Sequence, residues 1–438
     1  MPPSPRASEI RAWTGIGLAA LALAGVFALM LAISRVPGAE THFPWPVAFF
    51  EKGLVIHVVF SFVVWFLCVF AALICAATPV KGDGSGRMLG TPALFCGLAA
   101  LFLLGVPAVL DRGAPSLNNY VPVIIDPLYY AGLVALAGGV AAVSIRFWTR
   151  FDKPRLAEPL YRAIAAGTAV YLLALTCFVL AWILNMSQPP SVRFNEDVFW
   201  GGGHALQFLN TLLMIAGWWL LARPGAGGDR PYRWAAGLCV APVAAMPLLY
   251  VLYPADSGAL ITTFTDMQYL LALPTMAALV GLWRGGVASA DPVERLALRL
   301  SLAVFLVGGI LGLFVDGADT RTPAHYHAVI AGVNLALIGV VYAWIVPATG
   351  RPAIAGKAAS VSLWGYGMGQ LIHSLGLFVA GGYGAPRKTA GAEQGIEALG
   401  AQLGLYAMGV GALVAVIGGV TFIWLAARAL SRSTSGET

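Results

Sequence analysis

The stretch Thr322-Pro-Ala-His-Tyr-His-Ala-Val-Ile-Ala-Gly-Val-Asn334 sets two histidines, His325 and His327, at the start of an apolar run. Residues two apart on a helix point roughly 200° apart, so one helix here offers its imidazoles to two different partners. A single metal would favour an i, i+4 spacing instead. Imidazole in hydrocarbon is costly unless something satisfies it. The spacing therefore implies two groups flanking one helix.

The rest of the chain has a membrane protein's composition. Of its 438 residues, 59% are hydrophobic and 11% charged, against about 25% charged in a soluble domain. Apolar runs of about 20 residues, each long enough to cross the hydrocarbon, recur throughout. We read twelve, near 13–34, 47–78, 88–110, 120–145, 160–187, 199–222, 232–253, 260–284, 296–315, 324–346, 359–381 and 403–427. The first lacks a small-residue cleavage site and reads as a span rather than a signal peptide. The expected fold is an all-α integral membrane protein, a twelve-transmembrane-helix bundle. It forms a single transmembrane domain over 1–438, with short cytoplasmic tails at 1–12 and 429–438. The five cysteines fall inside spans and show no CxxC pattern, so they read as packing residues.

With the N-terminus inside, 19 of the 26 Lys and Arg residues fall in inner segments, Lys81 and Arg87 among them, and seven, including Arg35, outside. That bias puts both termini in the cytoplasm. The net charge of +6 thus reports topology and gives no sign of a nucleic-acid partner.

Helix direction then fixes depth. His57, His204, His325, His327 and His373 lie on four apolar runs, all in the outer half. Any one of them is readily explained by a bond to a neighbouring helix. A shared depth for all five points to a cofactor or a polar network. Acids in or beside spans are few: Glu51, Asp126, Asp266 and Asp316. Each reads first as a helix-end or interhelical partner, with a proton path as the alternative for Asp126 and Asp266.

The stretch 322–334 resembles helix 10 of subunit I of the haem-copper oxidase superfamily. Phe199-Trp-Gly-Gly-Gly-His-Ala-Leu-Gln-Phe208 is similar to the helix 6 segment of its C-type oxidases and nitric oxide reductases. The resemblance implies a low-spin haem held by His57 and His327, and a high-spin haem held by His325. It implies His204 as the first ligand of a second metal, copper B or its iron counterpart. Ala385-Pro-Arg-Lys388 resembles the family's propionate-binding loop, which would give Arg387 and Lys388 that role. Asp111-Arg-Gly-Ala-Pro-Ser-Leu-Asn-Asn119 looks like a proton-channel entrance, but our topology puts it on the outer side, and we treat it as chance.

The resemblance is incomplete at the second metal. The family supplies two adjacent histidines on helix 7, and counting back from Pro274 reaches Leu249-Tyr250 instead. No histidine lies between His204 and His325. A lone imidazole is a poor copper site. The helix 6 tyrosine is Phe208 here, and the helix 6 glutamate has no match beside Leu206 and Gln207.

We therefore expect a membrane haem protein in a bacterial inner membrane, taking electrons through the low-spin haem to a high-spin haem that can bind dioxygen or nitric oxide on the side His204 and Tyr250 face, without a normal copper B centre. Its electrons would come from cytochrome c, another oxidase-type subunit or quinol, since the chain has no copper A domain and no CxxCH. If it is an enzyme, it is an oxidoreductase of terminal oxidase or nitric oxide reductase type. The alternatives are a non-catalytic gas sensor or carrier, a pure electron-transfer subunit, and, further off, a transporter.

Overall fold

The computed structural model describes residues 5–42, 49–79, 86–254, 256–315 and 317–432. Lys81, Asp316 and the outermost residues of both expected tails lie outside that set, as does the Arg87 side chain. Regular backbone is almost wholly helical, as hydrocarbon demands of a chain that must pair its own main-chain groups. The helices are α1 (Pro5–Arg35), α2 (Phe50–Ala77), α3 (Gly86–Val109), α4 (Pro127–Thr149), α5 (Pro159–Asn185) and α6 (Val192–Ala222). There follow α7 (Asp229–Leu252), a broken α8 (Gly258–Met267 and Ala272–Gly285), α9 (Pro292–Gly312), α10 (Arg321–Ala348), α11 (Lys357–Gly382) and α12 (Leu399–Ser431). Helices α2 and α10 each contain a π segment, at Val59–Val64 and Val341–Ile345.

Among the described residues, ten helices are long and apolar enough to cross a membrane, two fewer than the sequence reading expected. Two runs account for the difference. The run near 260–284 is interrupted by a 3-10 turn at Gln268–Leu271, so neither half reaches spanning length. Helix α11 has 26 residues, but its glycines, serines, Gln370 and His373 dilute the apolar character. The run placed at 120–145 also begins later. Its first residues form a hairpin, β1 (Ala114–Ser116) antiparallel to β2 (Val123–Ile125), ahead of α4.

Three helices are far more enclosed than the rest. The most apolar stretches of α2, α6 and α10 are 83, 89 and 78% buried, against half or less for the others. These three carry His57, His204 and the His325/His327 pair.

The chain divides into two compact units. The first comprises residues 1–17 and 63–289. Trp13 is fully buried; a side chain at Gly97 would run into its ring, and one at Gly139 would strike the Ala93 carbonyl. The Arg146 guanidinium grips the Glu9 carboxylate with two bonds of 3.0 and 2.6 Å, and Nη2 also donates to Cys75 Sγ at 3.2 Å. A bidentate pair of this kind suits a buried cation. Asp126 takes the helix-end role: its Oδ1 accepts from Leu128 N at 2.8 Å, capping α4, and its other oxygen pairs with Arg112 at 3.0 Å.

The second unit comprises residues 18–62 and 290–438, in which α9 packs on α10, α10 on α11, and α11 on α12. The α11–α12 seam is built from small residues. A side chain at Gly369, Gly376, Gly404, Gly411 or Gly418 would strike the facing backbone, Gly411 meeting His373 N. With no hydrophobic drive between helices in lipid, such close approach supplies the packing. Gly411→Val should therefore cost about 1–3 kcal/mol and lower the thermal unfolding midpoint in detergent. Gly419→Ala, whose new methyl meets only Tyr366 at 3.9 Å, should leave it unchanged.

Candidate haem-ligand cluster

The second unit gathers three imidazoles. The rings of His57 and His327 lie 6.5 Å apart between centroids, with planes only 18° from parallel. His373 from α11 approaches His327 edge-on at 4.6 Å. His57 donates from Nδ1 to Ala24 O at 3.1 Å, and His373 from Nδ1 to Met408 O at 3.1 Å. His325 faces another way. It donates from Nδ1 to Gly308 O at 2.8 Å, with its ring over Gly312 of α9. The two-residue spacing thus sends its imidazoles to different neighbours: His327 to His57 and α11, His325 to α9.

Metal-bound histidines usually spend one ring nitrogen on an acceptor and keep the other for the metal. His57 and His325 have this arrangement, with Nδ1 held by a main-chain carbonyl and Nε2 left for a ligand. Between His57 and His327, two metal–nitrogen bonds of about 2 Å, added to the half-widths of the rings, account for a separation of the order observed. His57, His325 and His327 are also only half-buried, so the packing leaves room beside each ring. A haem iron between His57 and His327, and another on His325, fits these residues.

Positive charge borders the cluster. Arg35, the last residue of α1, is buried and donates to Pro386 O at 2.8 Å, and its own carbonyl accepts from Gln394 at 3.2 Å. Arg387 donates to Gly317 O at 3.3 Å, and Lys388 sits in the left-handed region at φ 60°. The charges of Arg35 and Arg387 both reach the Tyr326 phenol, between the two α10 histidines, and that of Arg35 reaches His327 and His373. Nothing in the sequence set Arg35 apart from other outer charges; its approach to the histidines is a tertiary fact.

The loops here are tied by Asp319, which clasps Arg321 at 2.7 Å and bridges to Pro386, while Thr320 N donates to Ala385 O at 3.0 Å. Burial pushes the Asp319 carboxyl up, but the Arg321 hydrogen bonds and charge outweigh it and hold it below the ordinary range.

In the first unit, His204 is fully satisfied. Its Nδ1 donates to Trp200 O at 2.7 Å, so a neutral ring has Nε2 bare, and the Tyr120 hydroxyl donates to that nitrogen at 2.9 Å. Burial, with the Glu196 carboxylate nearby, pushes the Tyr120 phenol up and keeps it protonated as a donor. Tyr120 has φ 67°, a strained backbone for a bulky residue. The three glycines before His204 each make space for a ring: Gly203 for Tyr120, Gly202 for Phe178, Gly201 for Phe264 and the Tyr250 hydroxyl. Tyr250 packs on Phe264 at 5.5 Å, and its hydroxyl is buried without a partner. Sequence reasoning missed Tyr120, which follows the Asn118-Asn119 pair at the end of a motif set aside as chance. Asn119 in fact bonds Glu196 at 3.1 Å. The sixth histidine, His42, is exposed and pairs with Thr41.

Two outcomes are expected. Tyr120→Phe leaves His204 Nε2 buried without a donor and should cost about 1–3 kcal/mol, seen as a lower thermal midpoint. An unchanged midpoint would mean that another group serves Nε2. The depressed Asp319 carboxyl contributes stability above the unfolded carboxyl pKa of about 3.9, which is lost as pH falls through the folded value. With Arg321 partly exposed, the pair should be worth about 1 kcal/mol. Asp319→Asn should remove that amount at pH 7 and flatten the acid dependence of the melting midpoint below pH 4.

Comparison with known proteins gives a consistent placement. The sequence matches the family described as Cytochrome C and Quinol oxidase polypeptide I over residues 10–421. An uncharacterized protein of Aquifex aeolicus is 30% identical, the match covering 76% of this chain and 83% of that protein. One of Rickettsia prowazekii is 23% identical, covering 97% and 96%. Among solved structures, a heme-copper terminal oxidase dimer seen by cryo-electron microscopy superposes with a TM-score of 0.72 at 14% identity. That match covers 98% of this chain and 85% of the other, and it shows a shared fold. The chain is a member of the cytochrome c and quinol oxidase subunit I family, with the helical membrane fold of the heme-copper oxidases.

Proposed function

We propose that this chain is a membrane haem protein with a low-spin haem on His57 and His327 and a high-spin haem on His325. The observation that carries the reading is the near-parallel, 6.5 Å placement of His57 and His327. When bound, the haems supply one-electron redox chemistry and an open coordination position for dioxygen or nitric oxide. The protein's part is orientation and charge. The Ala24 and Gly308 carbonyls fix the tautomers of His57 and His325, turning Nε2 outward as a ligand. Arg35, Arg387 and Lys388 supply cations suited to propionate carboxylates.

The second metal is the point of departure from the family. The Nε2 of His204 is engaged by Tyr120, and Tyr250 stands where the family has histidine. We therefore assign no normal copper B centre to this chain. This engagement of His204 favours a second reading, gas binding or electron transfer without turnover. The chain would cross a bacterial inner membrane twelve times, with both termini cytoplasmic, α8 and α11 crossing by virtue of their protein neighbours. Its electrons would come from cytochrome c, another oxidase-type subunit or quinol.

The test is the optical spectrum of the purified, dithionite-reduced protein with and without carbon monoxide. A sharp low-spin α band plus a carbon monoxide shift in a second haem is expected. His57→Ala and His327→Ala should each abolish the low-spin band, and His325→Ala should abolish the carbon monoxide shift. A low-spin spectrum unmoved by carbon monoxide would reduce the role to electron transfer. Rapid gas binding with no steady-state consumption would make the protein a sensor or carrier. A protein without any Soret band would end the haem assignment.

A further inference from the structure

Helices α9 and α11 both begin at the end of the second unit that the Lys and Arg bias assigns to the inner face. A groove of about 660 Å³ lies between their first turns, within the range of roughly 300–1,000 Å³ usual for small-molecule sites. Asp291, the N-cap of α9, and Lys357, the first residue of α11, both line it. Further along α11 the lining turns apolar, with exposed Val361 and Trp364. Lys357, Val361 and Trp364 share one helix face, and the rise from the first to the last is about 10 Å. Gly365 closes the lining where a side chain would crowd the Gly418 backbone of α12 at 3.2 Å. Asp291 Oδ1 accepts from Val293 N at 2.7 Å and from Glu294 N at 3.0 Å, which leaves Oδ2 for another donor. Gly356 gives the first turn of α11 no side-chain cap. Among the described residues, Asp291 and Lys357 form an ion pair neither with each other nor with any other side chain. An acid and a base that line one groove without meeting suit a ligand that carries both charges.

We propose that this groove holds one phosphatidylethanolamine molecule. Its phosphate meets the Lys357 ammonium and the open first turn of α11, its own ammonium meets Asp291 Oδ2, and an acyl chain runs along Val361 and Trp364. The charges select the occupant. An anionic lipid such as phosphatidylglycerol brings no cation to Asp291 and sets a like charge beside it. Phosphatidylcholine has the cation but no N–H for a charge-assisted bond to the carboxylate. A quinol has neither charge. The depth fits as well: the charged groups stand at the helix starts, and the tryptophan follows at the level where such rings gather in membranes. The site stands on the membrane fold alone and is independent of the haem reading.

The experiment is native mass spectrometry of the full-length protein, delipidated in detergent and then offered dioleoyl phosphatidylethanolamine, phosphatidylcholine or phosphatidylglycerol. Wild type should retain one phosphatidylethanolamine per chain about tenfold more tightly than either of the others, the worth of one charge-assisted hydrogen bond. Asp291→Asn keeps an oxygen for the α9 cap and removes the charge, so the preference over phosphatidylglycerol should vanish. Lys357→Gln should weaken retention of all three lipids. Equal retention of the three lipids by wild type would overturn the proposal and make the groove ordinary lipid-facing surface. A preference for phosphatidylethanolamine that survives both substitutions would overturn it too, as would a quinol displacing the bound lipid. Should Lys357→Gln fail to fold, the comparison of Asp291→Asn with wild type decides alone.

Discussion

An imidazole within an apolar helix bundle has two nitrogens to satisfy and no water to do it. The fold meets this by lending main-chain carbonyls: Ala24 to His57, Trp200 to His204, Gly308 to His325 and Met408 to His373. Trp200 serves His204 from within one helix, whereas the other three carbonyls reach their rings from a neighbouring helix, which needs close backbones and small residues. Gly312 lies under the His325 ring, and Gly411 meets the backbone of His373. Glycines in these helices are therefore part of the histidine chemistry. They set which nitrogen each ring keeps for something else.

Much of this was readable from the sequence because it follows from period. The two-residue spacing of His325 and His327 dictated opposite directions, and the structure shows them facing different helices. The apolar runs located nearly every helix. What could not be read depended on approach between distant segments. Arg35 reaches the loop beyond α11 from the end of α1, donating to Pro386 O. Tyr120 reaches His204 from a hairpin loop at an unfavourable backbone angle, a contact with no periodic signature. The two runs that fell short of spanning character failed for local reasons, a 3-10 turn in α8 and polar dilution in α11.

The run of three glycines before His204 resembles a metal-binding segment of the family, and its packing gives it a second explanation. Each glycine takes the face of an aromatic ring, so the segment is shaped by Phe178, Tyr120, Phe264 and Tyr250 as much as by the imidazole. Similar sequence at a family position thus need not preserve the ligand set. The Tyr120 hydroxyl makes with His204 Nε2 the contact that a metal would need, and it is held there by a backbone conformation that costs of order 1–3 kcal/mol.

The seam between α11 and α12 raises a question of register. Gly404, Gly411 and Gly418 recur every seven residues along α12. Sliding one helix past the other by seven would still present glycine to the partner at most contacts, so the small residues alone define a ladder of near-equivalent alignments. One polar contact across the seam, His373 on Met408 O, belongs to a single rung. The imidazole that stands against His327 would then help to choose how the last two helices pair during assembly. A change at the cluster would be felt as mispaired helices before it was felt as altered chemistry.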